Sequence, residues 1–430
     1  MRYVSTRDPH HTATLDEAIL RGIAPDGGLY VPESFPTIPA EELAEARGLP
    51  EVAARLLAPF FAGSSLESEL PAICAAALSF SVPLRMLRTH TAVLELFHGP
   101  TAAFKDIGAR FLAECLPRLA ATGERPLLLL VATSGDTGGA VAAAFHGKPG
   151  VDVVVLYPKG RVSPRQERQL TVWGGNVRAL SVRGDFDDCQ RLVKAALSDP
   201  AVQADWATSS ANSINLGRLL PQMSYYAAAA CEYERLRGAR PGFIIPSGNV
   251  GNATACLWAR AAGVPMREIV LATNANRALS EFAAGGEWEP CATVQTLANA
   301  MDVGNPSNME RIFHLFGGPD ATRDGLRVER VEDDEIQDTI RHGLARWGEI
   351  WDPHTATAIV ARECLASWDW IVVSTAHPAK FETIVEPLIG REIPIPPALA
   401  AILKQSGAAV EIAPDLDALR AALPSPPRSS

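Results

Sequence analysis

A chain of 430 residues exceeds one ordinary domain and predicts two or three lobes. Its composition, 47% hydrophobic and 20% charged, is that of a globular protein long enough to bury a large core. A formal charge of −10 argues against a nucleic-acid binder, which needs a basic face over the phosphates, but leaves room for a small anionic substrate held by a local cluster of donors. The seven cysteines are scattered singly, with no Cys-x-x-Cys pair, and read as small core hydrophobes of a reducing compartment. The N-terminal MRYVSTRDPHH lacks the apolar run of a signal peptide, and no apolar stretch reaches membrane-spanning length. The expectation is a cytoplasmic protein with no membrane partner.

In chain order, residues 1–80 are expected to be mostly helical around the turn APDGGLYVPE (Ala24–Glu33), with helical patterns at Glu41–Arg47, Val52–Leu57 and Pro71–Ala77. From about Val93 the texture becomes α/β. Val93–Phe97 reads as a strand closed by Gly99-Pro100. Beyond it Phe104, Ile107, Phe111 and Leu112 recur at helical spacing, which puts Lys105 in a first helical turn. Leu127–Val131, Val151–Leu156 and Phe243–Ile245 are apolar runs, each followed by glycine-rich or polar residues and then a helical pattern. That order predicts a mainly parallel sheet covered on both faces. Residues 282–310 read as loops, Trp370–Pro378 as a late strand, and PSPPRSS as a frayed tail.

Five stretches carry chemistry. In VATSGDTGGAVAAAF (Val131–Phe145) a strand enters Ser134, Asp136 and Thr137 among glycines at a helix start, which suits either an anion cradle or a capped turn. FIIPSGNVGNATACLWARAAG (Phe243–Gly263) repeats the design with Gly248, Asn249, Val250, Gly251 and Asn252. It has neither the Gly-Lys-Ser/Thr ending of a Walker loop nor Gly-x-Gly-x-x-Gly, and a single phosphate fits it best. Two such loops in one chain favour binding over turns. NSINLGRLLPQ brings Asn212, Ser213 and Arg218 to a helix start, as a capped helix or a second phosphate site. VVSTAHPAKF places Thr375 at the carboxyl end of a strand, where ligands bind in open α/β sheets. WDPHTATA reads by residue type as a capped helix start. The nine histidines show no metal-ligand spacing.

A lysine near the start of the α/β region, an early Ser-Gly-Asp-Thr-Gly loop and a later Ser-Gly-Asn-Val-Gly-Asn loop resemble pyridoxal-phosphate enzymes of the tryptophan-synthase-β type (fold type II), two-lobed proteins built on parallel sheets. More narrowly, RGIAPDGGLYVPE, LFHGPTAAFKDIGARF, ATSGDTGGAV, NSINLGRLLPQ, PSGNVGN, ATNANR, TLANAMDVGNPSN, DPHTATA and STAHPAKF, in this order, resemble the threonine synthase family from near the start of the chain to near its end. The resemblance implies a mostly helical N-terminal segment (residues 1–92) and a catalytic region (93–420) with a smaller mobile lobe at roughly 100–205. It leaves a flexible tail at 421–430. It implies the conversion of O-phospho-L-homoserine and water to L-threonine and phosphate, by γ-elimination and β-addition of water, in a monomer or homodimer. Lys105 would be the Schiff-base lysine and the acid/base. Gly248, Asn249, Val250, Gly251 and Asn252 would hold the cofactor phosphate, Thr375 would face the pyridine nitrogen, and Asp136 would lie near the ring's 3-oxygen. Ser134, Thr137, Asn212, Ser213 and Arg218 would bind substrate. Two departures stand out: Asp136 where related enzymes often have Asn, and Asn252 where close relatives often carry Asp. The rival expectations are a phospho-lyase releasing 2-oxobutanoate and a non-catalytic binder of phosphorylated metabolites.

Overall fold

The computed structural model describes residues 1–425 other than 89, 122, 124 and 367. The strands of these residues form three sheets. The first is a small antiparallel sheet, β1 (Tyr3–Ser5), β2 (Thr12–Ala13) and β3 (Tyr30–Pro32), in the order β2-β1-β3. The sequence reading, which expects helices around a turn over residues 1–80, does not show these strands. Strands of two or three residues are too short to show a period of two, yet Tyr3, Val4, Tyr30 and Val31 are buried and pair across the sheet. The expected helices are present, at Ala40–Ala44, Leu49–Phe61 and Leu70–Ala77. The second begins earlier than the apolar pattern showed, because Pro50 is tolerated in a first helical turn.

The chain then lays down β4 (Leu84–Arg88) and β5 (Thr91–Glu95), crosses to a second body for β6 (Leu127–Ala132), β7 (Val151–Pro158), β8 (Val177–Val182) and β9 (Ala207–Ser210), and returns for β10 (Gly242–Pro246), β11 (Ile269–Thr273), β12 (Arg327–Arg330) and β13 (Trp370–Ser374). A last strand, β14 (Val410–Ile412), goes back to the second body. The larger sheet runs β12-β11-β10-β13-β5-β4 and the smaller β14-β8-β7-β6-β9. Apart from the antiparallel edge β4, every pairing in these two sheets is parallel. The central strands are buried at every position of β5, β6, β10 and β13, as helices on both faces require.

Three boundaries differ from the sequence reading. The late strand stops at Ser374, because Pro378 opens a 3₁₀ turn (Pro378–Phe381). The smaller body extends to Ser210 and recruits β14 from the C-terminal region, a long-range pairing that no local pattern signals. A helix at Leu416–Ala422, capped by the Asp415 carboxylate accepting from the Ala418 N–H at 2.8 Å and anchored by buried Leu419, takes the first two residues of the expected tail. The rest of the tail at 426–430 lies outside the described residues. No described helix is long and apolar enough to cross a membrane.

Candidate active site

Strand order makes the site. In the larger sheet β10, β13 and β5 are neighbours, so the loop Ser247–Asn252, Thr375 and the turn leading to Lys105 emerge side by side at their carboxyl ends. In the smaller sheet β6 and β9 are neighbours and deliver Ser134–Thr137 and Asn212–Arg218. The two sets line one cavity, with Lys105, Ser134, Asp136, Thr137, Asn212, Ser213, Arg218, Gly248, Asn249, Val250, Gly251, Asn252 and Thr375 all in its wall. An outer cleft of about 490 Å³ adjoins it and shares Ser134, Phe186 and Asp302.

Lys105 is the first residue of the helix Lys105–Ala120. The segment before it runs beside the end of β13: the Phe104 N–H donates to the Thr375 carbonyl at 2.8 Å and the His377 N–H to the Ala102 carbonyl at 3.0 Å. Asp106 reaches back, accepting from the Thr101 N–H at 2.8 Å and the Thr101 hydroxyl at 2.6 Å, which fixes the turn. Ala102 sits at φ +55°, and Val250 in the opposite loop at φ +48°. Both lie in the left-handed region that L side chains seldom adopt, and strain of this kind persists where surrounding structure enforces it. Burial pushes the Lys105 amine down to about 8; Asp136 opposes the shift, while the cations of Arg218 and Lys380 add to it.

The helix Gly251–Ala261 starts inside the glycine loop, so the N–H groups of Gly251, Asn252 and Ala253 have no acceptor within the helix. Gly248 is fixed by space: a Cβ there would lie 2.5 Å from the Cα of Met301. The Asn249 side chain is spent on structure, donating to Ser213 Oγ at 2.7 Å and accepting from the Ser307 N–H at 2.6 Å. Asn252 Oδ1 accepts the hydroxyls of Tyr225 and Tyr226, and its Nδ2 is buried without a partner. Carrying amide donors and no carboxylate, the loop fits a cofactor phosphate.

Arg218 is 3% exposed. It donates to the Ala211 carbonyl, leaves Nε without a partner, and lies against Gly108 of the lysine helix, where a Cβ would come 3.0 Å from Nε. Burial lowers it to about 10, so it stays cationic near neutrality. Ser213 Oγ accepts from Asn249 and, at 3.2 Å, from Asn308. The Asn212 amide, in the cavity wall, donates to the Ala132 carbonyl at 2.8 Å and accepts from the Ala132 N–H at 3.3 Å, closing the ends of β6 and β9 together. Burial pushes the Asp136 carboxyl up, but Lys380 and then Lys105 hold it well below the usual carboxylate range.

Sequence reasoning passed over several residues that build this site. Lys380 is fully buried and pairs with Asp136 at 2.9 Å. Arg311, also fully buried, donates to the carbonyls of Tyr30, Ser213 and Ile214 and to Asn308 Oδ1, clamping the Arg218 loop to the N-terminal sheet. His354 accepts from the Ala300 N–H at 3.1 Å, so its Nδ1 carries the hydrogen that bonds Asp352 at 2.9 Å. Asp302, on the rim of both cavities, is raised to about 6 by burial. Lys380 lies within a stretch singled out for Thr375, and its partners, Asp136 and the Thr101 carbonyl, are hundreds of positions away, so no spacing shows its role. His354 belongs to the stretch read as a capped helix start; its Nδ1 partner Asp352 is two positions away, and the Ala300 contact comes from elsewhere in the chain.

The family model for pyridoxal-phosphate-dependent enzymes matches residues 87–373, the model for the threonine synthase N terminus residues 2–78, and that for the threonine synthase C-terminal region residues 354–423. The threonine synthase of Serratia marcescens is 40% identical over 93% of this chain and 94% of its own, and that of Escherichia coli 38% over the same shares. Among solved structures, Escherichia coli threonine synthase superposes with a TM-score of 0.91 at 36% identity, covering 98% of this chain and 99% of that one. The pyridoxal-phosphate-bound threonine synthase of Brucella melitensis gives 0.90 at 34% identity, covering 98% of each. At these identities and coverages, over a fold-type II framework, the chain belongs to the threonine synthase family of pyridoxal-phosphate-dependent enzymes.

Proposed function

We propose that this protein converts O-phospho-L-homoserine and water to L-threonine and phosphate at the cavity around Lys105. The observation that carries this reading is one buried lysine of lowered pKa sharing a cavity with two sets of anion donors carried by different sheets: the 248–252 loop of the larger, and Arg218 with Thr137 of the smaller. A cofactor phosphate and a substrate phosphate need two such groups. Gly248, Asn249, Val250, Gly251 and Asn252 would hold the first, chiefly through backbone N–H groups. Thr375 would offer its hydroxyl to the pyridine nitrogen, and Asp136 would lie near the ring oxygen. When bound, pyridoxal phosphate supplies an electron sink for negative charge next to the substrate's amino group.

Lys105 would carry the cofactor and, once released from it, take the proton from the carbon bearing the amino group and return protons later. Arg218, Ser213, Ser134 and Thr137 would hold the γ-phosphate and balance its charge as it departs. Asn212 would act through the wall it builds. The smaller lobe, built on β6 to β9 with β14, would close over the reacting atoms so that water enters in a controlled way. The test is an absorbance spectrum of the purified protein, then an assay of every product from O-phospho-L-homoserine. A visible band lost in Lys105→Ala, with threonine and phosphate formed one for one, is expected. Phosphate with 2-oxobutanoate would overturn the reading in favour of simple elimination.

A further inference from the structure

Lys380 is a lysine with no exposure to solvent, in the 3₁₀ turn that follows β13. A buried ammonium is retained only when paired and hydrogen-bonded. Its Nζ meets Asp136 Oδ1 at 2.9 Å and donates to the Thr101 carbonyl at 2.7 Å. The same two acceptors are shared with the smaller lobe: Gln166 Nε2 donates to Asp136 at 3.1 Å and Gln169 Nε2 to the Thr101 carbonyl at 3.0 Å. Thr101 lies in the turn that leads into Lys105, and Asp136 is in the wall that Lys105 faces. Among the described residues no carboxylate forms an ion pair with Lys105.

We propose that Lys380 is a positioning residue for the Lys105 amine: it holds the Asp136 carboxylate and the Thr101 carbonyl as its own partners, and so keeps Lys105 without a counter-ion and able to lose its proton. The cluster holds two lysines and one carboxylate whose charge acts on both. The lysine that owns the carboxylate and a carbonyl keeps its proton; the other gives its proton up to water at lower pH, because it has no partner and faces a second cation. The remaining charged and titratable groups around Lys105 do not reverse this. Arg218 is cationic and pushes the same way. The carboxyl of Asp106, on Lys105's own helix, is bonded twice to Thr101. Asp302 is bonded to Thr296, Asn274 and Asn276, and His354 to Asp352 and Ala300. A steric strut would need the length of Lys380 and not its charge, which is how the two roles separate.

This inference rests on Lys105 being the cofactor lysine. The experiment uses the full chain stripped of cofactor, labelled with acetic anhydride across pH, with Lys105 modification read by peptide mass spectrometry. In Lys380→Met the freed Asp136 turns to Lys105, and the midpoint should rise by at least about one pH unit, a tenfold loss of neutral amine below the midpoint. In Asp136→Asn it should fall, and in the double variant return towards the wild type. Equal midpoints in the wild type and Lys380→Met, or a shift between Asp136→Asn and the double variant as large as that between the wild type and Lys380→Met, would overturn the proposal, since the second pair has no carboxylate to release. Should Lys380→Met fail to fold by circular dichroism, Lys380→Gln replaces it in both pairs, because its amide still offers a donor to Asp136 and to the Thr101 carbonyl. Borohydride reduction of the cofactor-loaded wild type, with peptide mapping, separates the two readings. Cofactor fixed on another lysine sinks the site assignment, whereas cofactor on Lys105 with an unmoved titration sinks only the role given to Lys380.

Discussion

An amine at about 8 is roughly half neutral at pH 8, whereas an ordinary lysine near 10.4 is less than about 1% neutral there. Lys105→Ala should therefore lower threonine formation by at least about 10²–10⁴-fold with the circular dichroism unchanged; substantial residual turnover would move the acid/base role elsewhere. Arg218→Ala removes a buried guanidinium whose Nε–H has no partner, and should raise KM for the phosphorylated substrate by about 10- to 100-fold with cofactor still bound. A KM near that of the wild type would take Arg218 out of the substrate site. Asp302 makes a prediction of different sign. Its folded carboxyl, at about 6, binds protons that the unfolded chain has already lost above 3.8. Its contribution is thus complete below about pH 4 and lost as pH rises through 6, by no more than about 3 kcal/mol. Relative to the wild type, Asp302→Asn should gain stability between pH 4 and 7 in thermal unfolding; a pH-independent difference would show that the carboxyl does not titrate in this range.

At the scale of elements, the site depends on loops being tied to one another. Asn249 joins the 248–252 loop to Ser213 and Ser307, and Asn308 joins it to Ser213 again. Arg311 fastens the whole to β3 through the Tyr30 carbonyl. Arg311→Met would take this donor from three carbonyls and an amide oxygen, at a cost of about 1–3 kcal/mol for each acceptor left unsatisfied. We expect a lower Tm together with a raised KM, as the Arg218 loop loses its clamp. A lower Tm with KM untouched would mean that the N-terminal sheet steadies the fold and not the site. The motif loops themselves were legible in the sequence because each lies between an apolar run and a helical pattern. The ties between them were not, because Asn, Ser and Arg in loops have no periodicity and their partners are distant in the chain.

For the molecule as a whole, β14 and the helix Leu416–Ala422 complete the smaller lobe from the far end of the chain, with Ile412 and Leu419 buried against Val182, Cys189 and Leu192. Deleting residues 404–430 should bare the edge of β8 and loosen that lobe, seen as rapid proteolysis within residues 127–210 and loss of turnover; an unchanged digest would show that the lobe stands without its last strand. The sequence alone determined the α/β class, the strands β5, β6, β7, β10 and β13, the helix that begins at Lys105, and the residues that bring chemistry to the loops. Such features are written in neighbouring residues, as apolar runs, helical spacing, glycine turns and capping side chains. Only the tertiary structure decided that β10, β13 and β5 lie side by side facing β6 and β9, that Asn212 closes strands with its amide, and that Asp136 belongs to Lys380. Those outcomes depend on strand order and on contacts between residues 80 to 280 positions apart, where burial removes water as the competing partner and makes each buried charge find another.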